Sequence, residues 1–311
     1  MGPARILGTF DSRKTANSWA EGQRVNRPLA PGTPIDAKRY KRWISRFGSY
    51  RAGVINVTIE SWLQQFDDAD RDLAARVLDA VEFYGQSQIH AAYRQALRAL
   101  PDWHKSPTKR TGQWRFAAMS GSAGESGDAM LYQFRVANGL DAKGFNELFV
   151  SRSDLFRQPM LPEGDPQKLG QNDVVVLLDD FSGTGTQVCN AWNDPATSFG
   201  ALLAGVGKTY LILVAASKTA RTRISNETAI SPVPAHELHE ADNVFSDKCK
   251  HFTAIDRTRL LQYGSIADKK NPMGFGKCGF VVIFQHRPPN NSIPILHADH
   301  SKWTGLFPRH E

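Results

Sequence analysis

The run from Val174 to Gln187 constrains this chain most. It reads Val-Val-Val-Leu-Leu-Asp-Asp-Phe-Ser-Gly-Thr-Gly-Thr-Gln. Five apolar residues without a break, closed by turn residues, predict a strand buried on both faces, the kind found in parallel sheets. Buried carboxylates are costly. Asp179 and Asp180 are therefore expected where the strand emerges at its carboxyl end, the edge at which open α/β sheets bind ligands. The turn that follows adds an anion cradle. Ser182, Gly183, Thr184, Gly185, Thr186 and Gln187 offer backbone N–H groups and hydroxyls with little obstruction, and a helix starting near Gln187 adds the positive end of its dipole. Two carboxylates one short turn from a phosphate cradle suit the vicinal hydroxyls of a sugar, held directly or through a hydrated Mg²⁺. Phosphate and diol a few bonds apart describe a ribose 5-phosphate.

The remaining sequence sets bounds. The chain has 311 residues, 41% hydrophobic and 22% charged, enough for one large or two modest globular domains. Its longest apolar runs fall far short of the ~20 residues of a membrane span. Three dispersed cysteines, Cys189, Cys249 and Cys278, give neither a disulfide framework nor a zinc pattern, so a reducing cytoplasm is the expected setting. A net charge of +7 favours anionic ligands, phosphorylated small molecules or nucleic acid alike.

Along the chain, residues 1–34 read as an irregular arm rich in proline. Residues 38–51 interleave Lys38, Arg39, Lys41, Arg42, Arg46 and Arg51 with Tyr40, Trp43, Phe47 and Tyr50. On a helix this gives an aromatic stripe beside basic groups: a docked amphipathic helix, or a nucleic-acid contact. Residues 57–100 carry helical spacing, with a break at Gly85. Residues 101–113 look like a linker. The expected organisation is a basic arm over 1–56, a helical region over 57–110 and an α/β domain over 111–311.

In that domain Trp114–Ser120 reads as a strand, followed by a glycine- and serine-rich loop to Gly127 and a helix from Asp128. Ser120, Gly121 and Ser122 open this second anion cradle. Asn146–Ser151 reads as a short strand, and 152–172 as a long polar lid whose Arg152, Arg157 and Lys168 are candidate anion contacts. Strands are expected over Lys208–Ser217 and Gly279–His286, and a helix over Asp247–Tyr263. Gly205-Val-Gly-Lys-Thr209 lacks the leading glycine of a Walker motif and precedes a strand instead of following one. His236-Glu-Leu-His239 lacks zinc-site spacing. Asn290, Asn291 and Trp303 are of the kind that recognises a nucleobase, or that builds a turn and anchors a tail.

The strand, acid pair and Gly-Thr-Gly-Thr loop resemble the phosphoribosyl-diphosphate (PRPP) motif of type I phosphoribosyltransferases. The resemblance implies a doubly wound, mainly parallel α/β sheet with the helical region at its N-terminal side. It implies that Asp179 and Asp180 hold the ribose hydroxyls with Mg²⁺, that Ser182 to Gln187 wrap the 5-phosphate, and that the loop at Ser120–Ser122 and a closing Arg157 meet the diphosphate. Purine-salvage members carry an Asp at the position of Gly183, so purine salvage is not expected. The Gly-Phe-Gly run, Pro-Asn-Asn-x-x-Pro-Ile-Leu and the closing Trp…Leu-Phe-Pro-Arg are similar to the PRTase-CE family of prokaryotic conflict systems, some of whose members accompany retron reverse transcriptases. That resemblance implies an antiphage defence effector and supplies no substrate; the PRPP motif is what implies binding of PRPP or a ribose 5-phosphate nucleotide and action at the anomeric carbon. Its partners would be a nucleic acid or a defence protein, for example a reverse transcriptase with its DNA/RNA product. A silent sensor of PRPP or a nucleotide is the alternative it leaves open.

Overall fold

A computed structural model describes residues 27–119, 127–194 and 198–309. The chain opens with α1 (Ala37–Phe47), α2 (Asn56–Leu63) and α3 (Arg71–Ala80). A short strand β1 (Glu82–Tyr84) and α4 (Gln86–Arg98) follow. Then come β2 (Trp114–Ala118), α5 (Gly127–Ala137), α6 (Arg152–Arg157), β3 (Val174–Ser182), α7 (Thr186–Asn193) and α8 (Phe199–Leu202). The chain continues with β4 (Lys208–Ser217), α9 (Lys218–Glu227), β5 (Ile230–Leu238) and α10 (Ala254–Ala267). It ends with β6 (Val282–Phe284) and a small hairpin, β7 (Asp299–His300) and β8 (Trp303–Thr304).

Strands β2, β3, β4 and β5 form one parallel sheet in that order. Residues that alternate along β3 serve opposite faces. Val174, Val176 and Leu178 pack with Ile89 and Tyr93 of α4 and with Met130 and Phe134 of α5. Val175 and Leu177 pack with Leu155, Val188, Phe199 and Ile224 of α6 to α9. Helices on both faces explain why these strands are apolar throughout. The sheet is doubly wound, as expected. Its first core runs across residue 110, because α4 covers the same face as α5.

The expected strand at Asn146–Ser151 is a correction. Only Phe149 bridges, in parallel, to Phe116, and Lys143–Leu148 is a 3-10 helix. Phe145, Leu148 and Phe149 all join the α4–α5 core, a spacing of three to four that suits a tight helix better than alternation. The bridge still fixes the winding. From β2 the chain goes to one edge at Phe149, then returns to β3 on the other side. The direction reverses at β2, so the crevice between the carboxyl ends of β2 and β3 is the topological switch point.

The stretch 152–172, read as a lid, begins with a packed helix. Ser151 and Asp154 cap α6 reciprocally, and Leu155 is buried. The helix expected from Asp247 starts later, at Ala254, where Thr253 Oγ1 accepts from Asp256 N at 3.1 Å.

A second core joins the two ends of the chain. Trp43, Phe47, Trp62 and Phe66 from α1 and α2 and the turn after it pack with Tyr263, Trp303 and Phe307. The basic residues of α1 are largely committed here. Asp79, fully buried, accepts from Arg39 Nη2 at 2.7 Å, from Trp43 Nε1 at 2.9 Å, and from Arg42. The aromatic stripe is thus a docked face. β6 pairs in parallel with β1, register Phe83↔Ile283, and delivers the tail to the carboxyl end of the sheet.

Candidate functional site

The carboxyl ends of β3 and β6 meet in a cavity of about 720 Å³. Its floor is the predicted motif: Asp179, Asp180 and Ser182 through Gln187 all line it. The backbone explains the loop. Gly185 has φ +73°, the left-handed region, and is the N-cap of α7. The first turn of α7 therefore faces the cavity. Thr184 Oγ1 donates to Thr186 Oγ1 at 3.0 Å, and Arg223 Nη1 of α9 donates to the same oxygen at 2.7 Å. Ser217, at the end of β4, donates to Gly183 O at 2.6 Å while capping α9 through Ala220 N.

The acids are held from several sides. Asp179 Oδ1 accepts Asp180 N–H at 2.9 Å. Tyr93, buried on α4, donates to Asp179 O at 3.3 Å. Burial and the charges of Asp180 and Asp179 push the Tyr93 phenol well above its ordinary range. His286 Nε2 lies 2.7 Å from Asp180 Oδ2. Burial raises the Asp180 carboxyl, but the hydrogen bond and charge of His286 outweigh it, so Asp180 titrates below the usual carboxylate range.

Sequence reasoning missed His286. Its signal was a titratable side chain closing an apolar strand, the same pattern that marked Asp179. Arg223 was missed because α9 was not read as a helix. The tail roofs the loop. A Cβ on Gly183 would approach Asn291 Cγ to 2.2 Å, and one on Gly276 would approach Thr184 Cγ2 to 2.3 Å. The position where an Asp was looked for is thus closed by the Asn291 amide, which donates to Phe275 O at 3.0 Å.

Other expected residues fall elsewhere. Ser120, Gly121 and Ser122 lie outside the described residues. Arg157 does not line the cavity. It is three-quarters exposed on α6, 3.9 Å from Asp154, because the capped helix turns it outward. Arg152 lies over the Phe156 and Phe199 rings, and Lys168 pairs with Glu163. Trp303 is buried among Phe66 and Tyr263 and donates to Ile295 O at 3.0 Å, so it anchors the tail. Asn290 and Asn291 do line the cavity. Among the described residues no cluster of three or more His, Cys, Asp or Glu forms a metal site, and no helix is long and apolar enough to cross a membrane.

A doubly wound parallel sheet, a switch-point crevice and an acid pair above a threonine-glycine helix cap define a phosphoribosyltransferase-like protein. The family model PRTase-CE matches residues 59–309, and the chain belongs to that family. No curated protein matches it.

Proposed function

We propose that the protein binds PRPP or a ribose 5-phosphate nucleotide at the end of β3 and acts at the anomeric carbon. One observation carries this reading: the acid pair, the Gly183–Gln187 cradle and the start of α7 line one cavity. In this reading the cradle's N–H groups and hydroxyls hold the 5-phosphate. Asp179 and Asp180 orient the ribose hydroxyls and stabilise the positive charge that develops on the ring. His286 keeps Asp180 ionised and fixed in direction.

A pair of carboxylates with no metal-binding cluster of three around it among the described residues suits Mg²⁺, which takes the rest of its shell from water and phosphate oxygens. Asp179 and Asp180 would hold it. When bound it neutralises charge on a leaving diphosphate. Membership in a conflict-system family supports a role in antiphage defence, with a nucleic acid or defence protein as partner.

A second reading, a sensor without turnover, draws support from Gly183, where the Asn291 amide stands in place of a carboxylate acid/base. Calorimetric titration with PRPP and Mg²⁺, followed by diphosphate release with each nucleobase and nucleotide, separates the two. Saturable binding weakened about tenfold or more by Asp180→Asn is expected. Binding that is absent, or indifferent to that substitution, sinks the proposal. Binding without release of diphosphate favours the sensor.

A further inference from the structure

The ribose 5-phosphate reading accounts for the sheet side of the cavity but not for its other wall. There three guanidinium groups, Arg51, Arg287 and Arg309, line the same space. They come from three distant stretches: the turn after α1, the step after β6 and the end of the tail. The first and the last are rooted by the backbone. Arg51 N donates to Gln285 O at 3.0 Å, Arg309 N to His297 O at 3.3 Å, and Tyr50 ties the first stretch to the last through its hydroxyl and Pro308 O at 2.6 Å. Burial pushes the Tyr50 phenol to about 12, and the charges of Arg51, Arg309 and Arg287 all pull the other way, so all three stand within electrostatic reach of one ring. Arg287 follows His286 directly, one residue beyond the partner of Asp180. Among the described residues, the only carboxylates lining the cavity are Asp179 and Asp180.

Guanidinium groups pair with phosphate oxygens through two parallel hydrogen bonds, and a cluster of them selects a multiply charged anion over a neutral ring. By the resemblance to type I phosphoribosyltransferases, the diphosphate of PRPP falls to the sequence that opens with Ser120, Gly121 and Ser122, outside the described residues. We propose that the wall of Arg51, Arg287 and Arg309 is a subsite for the phosphate of a second ligand, so that the molecule meeting the ribose is a nucleoside monophosphate and not a free base. The proposal rests on the ribose 5-phosphate reading for what occupies the first subsite. Arg51 precedes the part of the chain that matches the family, so the N-terminal segment supplies part of this specificity.

The test titrates protein saturated with PRPP and Mg²⁺ with adenosine and with adenosine 5′-monophosphate. The wild type is expected to favour the monophosphate by about tenfold or more, and Arg287→Gln or Arg51→Gln to reduce that preference to within about twofold. PRPP affinity and thermal midpoint, measured on the same variants, serve as controls for folding. Equal affinity for nucleoside and nucleotide in the wild type overturns the proposal. So does a preference that survives both substitutions. If Arg287→Gln weakens PRPP but not ribose 5-phosphate, the arginines hold the diphosphate and the proposal fails. If a single-stranded oligonucleotide binds through Arg287 while the mononucleotide does not, it fails in favour of a polymer. Should wild-type protein not bind PRPP at all, the reading of the first subsite is wrong. The arginine wall is then tested with inorganic phosphate alone. Binding lost in Arg287→Gln and kept in Asp180→Asn supports the wall, and binding kept in Arg287→Gln removes it.

Discussion

Gly183 and Asn291 show how one residue pair fixes chemistry. The amide occupies the volume in which a side chain on residue 183 would sit. Gly183→Ala is expected to cost about 1–3 kcal/mol by overpacking. Asn291→Ala should relieve much of that cost in the double variant, and a double-mutant cycle by urea unfolding reads the coupling. Strictly additive effects would show that the two do not touch. His297 gives a pH dependence. Burial lowers its imidazole to about 4, and its Nε2 lies 3.1 Å from Ser292 O. An unfolded histidine titrates near 6.5. Between those values the unfolded chain binds the proton more readily, so stability falls as pH drops from about 6.5 to about 4, by up to about 3 kcal/mol. Below that range this contribution is flat. Thermal midpoints measured across the range should fall in the wild type and fall less in His297→Asn.

At the scale of elements, α1 is held by a charge network as well as by its aromatics. Asp79 is fully buried, and so is the Arg39 side chain it receives. Asp79→Ala would leave a guanidinium buried without its counter-charge, at a cost of about 3–5 kcal/mol. Lys38 and Lys41, both exposed on the same helix, should change stability by less than about 0.5 kcal/mol when replaced by Ala. Chemical denaturation compares the three variants, and equal costs would refute the network. Elements buried on both faces were legible in the sequence. The uninterrupted runs Val174–Leu178 and Leu211–Ala216 gave β3 and β4, and the acids and glycines after β3 gave the floor of the site. Elements made by partners were not. β1 is three residues long and exists because β6 pairs with it. α9, Lys-Thr-Ala-Arg-Thr-Arg-Ile-Ser-Asn-Glu, buries only Ala220 and Ile224, too sparse a stripe to announce a helix. His286 reached the site only through tertiary pairing, which no local spacing encodes.

On the scale of the whole molecule, the beginning of the described chain and its tail share one core. Phe47 and Tyr50 meet Phe307 edge to face, at 5.2 Å between ring centroids in each case. Residues 27–56 belong to the folded body although the family match starts at 59. Deleting residues 1–56 would uncover Phe307 and remove Arg51 from the cavity. Since each buried aromatic lost costs about 3–5 kcal/mol, the thermal midpoint should drop by about 10 °C or more, or the transition should lose cooperativity. Scanning calorimetry decides, and an unchanged midpoint would show that the segment adds nothing to the fold.

The tail's seat on the Gly183–Thr186 turn has a consequence for affinity. Asn291 against Gly183 and Gly276 against Thr184 clamp the turn before any ligand arrives. The conformational entropy of ordering it was surrendered when the chain folded, not when a phosphate docks. Association at that turn should therefore resemble a key entering a finished lock.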